Sequence, residues 1–286
     1  SASNSLIGTT ADDNVGSSVT ALRNGNYVVV SYKWNGGTAS SRFGAATWSD
    51  GSNGITGAVS ASNSLIGTTT HDYIGIGGVA ALSNGNYVVA SPYWNNGTAS
   101  SYFGAVTWGN GSIGITGPVL ASNSLIGTTS DDQVGNAGVT ALSNGNYVAA
   151  SSYWSNGVAS GKYGAATWVN GGTGLTGTVS VSNSLIGTTT GDYVGSGSAT
   201  ALSDGNYVVR SPEWSGHLGA ITLANGAFRL KGTIQSWNSV LGTASAGYRM
   251  TYAYDPNRQR LIVGQPSSNI VSLFTMDQIF ASDFES

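Results

Sequence analysis

At 286 residues the chain is long enough for one large core or an array of repeats, and 40% of its residues are hydrophobic while only 8% are charged. Ten Lys and Arg against 13 Asp and Glu leave no basic stripe to track phosphates, which argues against a nucleic-acid partner, and the lack of cysteine excludes disulfides and Cys-ligated zinc. No apolar run approaches the ~20 residues of a membrane span, and no signal peptide opens the sequence; an exported protein would have lost its signal or carry it outside this sequence.

The chain starts on SASNSLIGTT, and that string returns at 60–69, then as LASNSLIGTT at 120–129 and VSVSNSLIGTT at 179–189, with a faded copy, SWNSVLGTA, at 236–244. Asn4, Asn63, Asn123, Asn183 and Asn238 mark equivalent positions, at spacings of 59, 60, 60 and 55 residues. Repeats of this kind govern the fold. Next in each unit comes an aspartate (Asp13, Asp72, Asp132, Asp192), then ALRNGNYVVVS at 21–31 with three echoes, then FGAATW at 43–48, echoed as FGAVTW, YGAATW and LGAITL.

Each unit reads as four short strands. VTAL precedes an Asn-Gly turn and NYVVVSYKW follows it, the strongest short hairpin signal. RFGAATW is the third strand and GAVSASNSLIG the fourth. This predicts an all-β, five-bladed β-propeller with four-stranded blades, a single domain over 1–286; a β-solenoid is the rival, but its repeats are shorter and lack paired tight hairpins. Blades fall at about 11–69, 70–129, 130–189, 190–244 and 245–276 plus 1–10, with a C-terminal tail at 277–286. The fifth unit has three strands of its own, so residues 1–10 are expected to supply its outer strand, pairing beside Ile270–Met276 and closing the ring.

The D-x-V-G…A-L-x-N-G-N-Y-V-V-x-S-P-x-W…F-G-A-V-T-W unit resembles the FG-GAP repeats of integrin-α-type propellers, and repeat blocks of secreted bacterial filamentous-haemagglutinin-like proteins. The likeness covers residues 1 to about 225. It implies a propeller exported to the medium or the cell surface, as in an adhesin. The tail MDQIFASDFES is similar to the I-F-x-D-G-F-E endings of exported proteobacterial proteins, with the Gly replaced. FG-GAP blades often carry a calcium loop between the first two strands. The matching loops here are RNGN, SNGN, SNGN and SDGN, where Asp204 alone is acidic, too little for a cation that wants six to eight oxygens. No metal or other cofactor is expected.

In a four-stranded blade the loops before the first strand and after the second share one face. They carry Asp13, Asp72, Asp132 and Asp192, and Trp34, Trp94, Trp154 and Trp214, with Tyr93 and Tyr153 beside two of the indoles. Exposed indoles would stack on sugar rings while carboxylates and Asn amides take hydroxyls, and repeated shallow sites would give avidity. The competing reading is structural: Trp packing between blades and Asp capping a turn. The fifth unit has Ser268 near the Trp place and is expected to lack a site. Trp48, Trp108 and Trp168 give way to Leu223, which suggests plain apolar packing. The inner strands carry no acid, the chain has two glutamates, Glu213 and Glu285, and His71 and His217 lie in non-equivalent loops. No acid/base pair for glycoside hydrolysis is visible, so a monomeric, non-enzymatic module is expected. It would bind glycans, or else act as a structural or display propeller facing a protein partner.

Overall fold

A computed structural model describes residues 3–244 and 246–275; the tail at 277–286 lies outside them. The chain is all-β, built from five repeats. In the first complete unit the strands Ser18–Ala21, Tyr27–Ser31 and Ala45–Ser49 form an antiparallel meander, and Leu65–Ile66 adds to the third strand. The hairpin is closed as the sequence requires: Gly25 sits at φ 89°, where a side chain would strain the turn. The next three units repeat the meander at Val79–Ala81, Tyr87–Ser91 and Ala105–Gly109, at Val139–Ala141, Tyr147–Ser151 and Ala165–Val169, and at Ala199–Ala201, Tyr207–Ser211 and Ala220–Ala224. The fifth unit comprises Thr251–Asp255, Arg260–Gln265 and Ile270–Thr275.

The expected fourth strand, GAVSASNSLIG, is two strands. Gly57–Ala58 pairs in parallel with Leu6–Ile7 of the unit before, while Leu65–Ile66 pairs antiparallel with its own third strand. Between them Asn63 builds the turn: its Oδ1 accepts from Ser60 N–H and Ser64 Oγ, and its Nδ2 donates to the Ala58 carbonyl. The Ser64 hydroxyl, fully buried, also meets Thr47 Oγ1 at 2.7 Å. This explains why Ser-Asn-Ser recurs: two of its side chains satisfy each other and the backbone where no water reaches.

Each of the first four units thereby lends a short strand to the N-terminal strand or to the unit before it. The parallel pairs Leu65–Ile66 with Gly117–Pro118, Leu125–Ile126 with Gly177–Thr178, and Leu185–Ile186 with Gly232–Thr233 extend three sheets to five strands. The expected pairing of the N-terminal strand with Ile270–Thr275 is not made: among the described residues Leu6–Ile7 pairs only with Gly57–Ala58, Ile270–Thr275 pairs only with Arg260–Gln265, and the sheets stay separate. The N-terminal strand follows the rule of its repeat, whose partner is the next unit in sequence.

Side chains add a second joint. The carbonyl of Gly111, in the turn after a third strand, accepts from Asn24 Nδ2 (2.7 Å), Asn26 Nδ2 (2.7 Å) and Trp48 Nε1 (2.9 Å), all of the preceding unit. Gly171 does the same for Asn86 and Trp108, and Gly226 for Asn144, Asn146 and Trp168. The opposite end of each amide is used too: Asn86 Oδ1 accepts from Gly111 N–H within its own unit. A Cβ on Gly111 would collide with the Gly85 carbonyl, so glycine is obligatory there. Trp48, Trp108 and Trp168 are therefore hydrogen-bond donors between units, not plain apolar filler. The fifth unit presents the Tyr254 hydroxyl instead of a glycine carbonyl, which donates to Asp204 Oδ2. Burial, and then Asp204, push that hydroxyl up to about 12, so it remains a donor. Facing a donor, the fourth unit carries an acceptor, Asp204, where the others have Asn, and Leu223 where the others have an indole.

The core is divided likewise. Leu82, Val106, Leu125, Tyr147 and Val169 form one cluster drawn from two units, and Val208, Ile221 and Leu223 pack on Met250, Leu261, Val263 and Phe274 of the fifth. Trp108→Phe keeps an aromatic ring at this half-buried place and removes the donor; it should lower the unfolding free energy in urea by about 1 kcal/mol. An unchanged midpoint would mean that the shared carbonyl contributes nothing. Gly111→Ala should cost more, about 3 kcal/mol, because backbone must move.

Candidate ligand-binding face

The four repeated aspartates are interior residues. Asp72 is fully buried, and its Oδ2 accepts from Thr68 N–H (2.9 Å) and Thr69 N–H (2.8 Å) while Oδ1 accepts from Asn95 N–H (2.9 Å). Asp13, Asp132 and Asp192 make the same three bonds, to Asn35, Ser155 and Ser215 at the third position. Each carboxylate thus clips the loop before the first strand to the loop after the second. For Asp72, burial raises the pKa against the pull of these N–H groups, which lower it.

The repeated indoles are interior as well. Trp34, Trp94 and Trp154 are buried and Trp214 is half-buried. Trp34 packs with Ala45 and Val59, beside Leu6, Phe43 and Ile66. Trp214 packs against Leu185, Val194 and Ile234. The indoles offer no face to a sugar, and the aspartates have no oxygen to spare. Both sets hold the loops in place: the carboxylates clip two loops together, and Trp34 beside Val59 and Trp214 beside Ile234 pack next to the short strand that their own units lend. Tyr93 and Tyr153 are different: they are 37% and 39% exposed.

Around these tyrosines the braced loops display the residues that differ between units. Positions 12, 71 and 131 carry Asp12, His71 and Asp131; positions 14, 73, 133 and 193 carry Asn14, Tyr73, Gln133 and Tyr193. All seven have φ between 43° and 65°. Asp, Asn and His tolerate that region, but for a bulky side chain such as Tyr73 or Tyr193 it is an outlier and costs of order 1–3 kcal/mol. Glycine would relieve it, as Gly191 does at φ 92° in the fourth unit. Arg42 and Tyr102, in the loop after the second strand, are likewise left-handed, at φ 51° and 43°. The conformation is enforced by bonds between units: His71 N–H to the Ser41 carbonyl, Tyr73 N–H to that of Arg42, and Ile74 N–H to that of Phe43. Gly44 is glycine for the same reason, since a Cβ there would strike the Ile74 backbone.

The displayed side chains touch in sequence. Arg42 donates to Tyr73 Oη at 3.1 Å. His71 stacks on Tyr73 at 5.6 Å and 14°, Tyr73 meets Tyr93 edge-on at 6.3 Å, and Tyr93 meets Tyr102 at 5.3 Å. One unit on, Lys162 Nζ lies 4.9 Å over the Tyr153 ring and donates to the Asp131 carbonyl, and Tyr153 meets Tyr193 at 6.0 Å. Glu213 accepts from Tyr248 Oη and Ser196 Oγ, and Tyr248 lies 6.2 Å from His217. Tyr73, Tyr102, Tyr193 and Tyr248 were not legible as a group from composition. The signal was positional: in loops otherwise nearly identical, these places vary. Among the described residues no three His, Cys, Asp or Glu side chains gather to hold a metal, and no helix is long and apolar enough to cross a membrane.

Asp72→Asn replaces an acceptor with a donor facing backbone N–H. It should cost about 3 kcal/mol, and Trp94→Ala about 3–5 kcal/mol, in equilibrium denaturation. Stability unchanged by both substitutions would contradict the bracing role.

A family described as "Repeat of unknown function (DUF5650)" matches residues 1–17, 21–76, 81–136, 141–196 and 201–248. Its unit starts in the Asn-Gly hairpin and ends just before the next first strand, so the first match is the closing part of a unit. No curated protein matches the chain. With most of its length taken up by these five matches, the chain belongs to this family of repeats.

Proposed function

We propose that the chain is a non-enzymatic, lectin-like binding module, exported or held at a cell surface, whose ligand is an extended glycan lying along the tyrosine-bearing face. The observation that carries this reading is a series of aromatic side chains on the braced loops: Tyr73, Tyr93 and Tyr102 in contact in one stretch, Tyr153 and Tyr193 in the next, and Tyr248 beside His217 in the last. Tyrosine presents an apolar face and a polar edge, which suits the two sides of a sugar ring. Neighbouring Asp131, Gln133 and Lys162 supply donors and acceptors for hydroxyls. Several weak contacts in register give avidity without a deep pocket. The sugar-stacking role falls to the tyrosines, with the tryptophans and aspartates beneath them as support.

The fold proposed with this function is a five-bladed propeller. Among the described residues Ile270–Thr275 has an outer edge without a strand, and Leu6–Ile7 lacks the third-strand neighbour that Leu65–Ile66 has. Pairing the two would close the ring. By the register of Ala220 with Leu241, Ile7 would lie opposite Ile270. In this cysteine-free chain, Ile7→Cys with Ile270→Cys should form an intramolecular disulfide on mild oxidation; free thiols in the monomer would leave the array open.

A display role, with the disc facing a protein partner, is favoured by the burial of the repeated indoles. A broad glycan array separates the two. Binding that falls about tenfold or more in Tyr93→Ala and Tyr153→Ala, with melting temperature unchanged, supports the lectin. Silence of the wild-type protein across the array supports display.

A further inference from the structure

The first unit's version of this face is chemically unlike the rest. A pocket of about 180 Å³ lies there, lined by Ala11, Asp12, Asn14, Lys33, Asn35 and Arg42 among others. Residues 1–190 contain just four cations, Arg23, Lys33, Arg42 and Lys162, and three of them stand on the face. Lys162 is engaged by the Asp131 carbonyl and the Tyr153 ring. Lys33 and Arg42 are in no ion pair; among the described residues the one salt bridge is Arg258 with Asp255. Arg42 is exposed, and its single side-chain bond is to the Tyr73 hydroxyl, so the pocket opens directly onto the aromatic line.

The acids nearby do not cancel this. Asp13, beneath the pocket, is buried and fully occupied by three N–H groups. Asp12 is exposed and makes no ion pair. Lys33 and Arg42 against Asp12 leave one net positive charge above the brace, matched to a single negative charge. The Asn35 amide is committed to the Ala11 carbonyl and Arg42 N–H.

Resting on the carbohydrate reading above, we propose that this pocket is the acid-recognising end of the face. It takes the carboxylate of a uronic-acid residue, with Arg42 and Lys33 on the carboxylate, Asp12 and Asn14 on ring hydroxyls, and Tyr73 against the adjoining sugar. A guanidinium fork matches a planar carboxylate, and a lone ammonium adds charge without demanding geometry. The glycan is then acidic and runs with a fixed polarity from the first unit toward the fourth.

Calorimetry with an oligogalacturonate and with its fully methyl-esterified form tests this. The free acid should bind about tenfold more tightly at low salt, and the preference should shrink as salt rises. Lys33→Ala with Arg42→Ala should lower the free acid's affinity to that of the ester and so remove the preference. Tyr93→Ala should weaken both ligands. Equal binding of acid and ester, unaltered in the double variant, overturns the acid site and leaves the carbohydrate reading standing. Binding of neither overturns both.

Discussion

In the second, third and fourth units one glycine carbonyl oxygen anchors the unit to side chains of the one before it. The Gly111, Gly171 and Gly226 carbonyls each collect Asn amides and one indole N–H from the preceding repeat. One hydrogen bond of this kind contributes about 1 kcal/mol. Two or three on one acceptor make a joint that also fixes spacing and angle, since donors from a hairpin turn and from a strand converge on one point. In a repeat array, stability is a sum of unit and interface contributions. Here the interface term is concentrated, and it dictates residue types well away from any ligand: Gly because no Cβ fits, Asn because both ends of the amide are used, Trp because apolar burial and a donor are needed together.

The same joint accounts for the odd unit. Asp204 and Leu223 read as drift when the repeats are compared in isolation. They are a matched response to Tyr254, which brings a hydroxyl donor where the other units receive a carbonyl. Polarity is exchanged across the interface and the bond survives. A repeat that faces a different neighbour must differ on that side alone, and the fourth unit does: its brace, Asp192 on Thr188, Thr189 and Ser215, is intact.

Much of the fold was legible because it is local. Asn-Gly turns announce their hairpins, and the period is plain from SNSLIG. The fourth strand was misread because its first half pairs with another unit about fifty residues away, in parallel, and nothing in GAV marks that partner. The repeated Trp and Asp looked like a site because sequence records that a residue recurs, not which way it points. An invariant indole among variable neighbours suits a core anchor as well as a ligand platform. Burial decides: Trp94 is 3% exposed and Tyr93, its neighbour, 37%.

That contrast locates function more firmly than recurrence does. Where Trp94, Asp72 and Gly104 recur, they maintain geometry. Residues 71, 73 and 102, which change from unit to unit, occupy backbone held left-handed, and residue 93, which also changes, has its ring against those of Tyr73 and Tyr102. Strain of this kind persists only where surrounding structure over-determines it. The surrounding structure is visible: a buried carboxylate below, backbone bonds from the adjacent unit at the side, and an indole wedged behind. The scaffold imposes the left-handed conformation not only on His71, Asp12 and Asp131, which tolerate it, but on Tyr73, Tyr102 and Tyr193, for which it is costly.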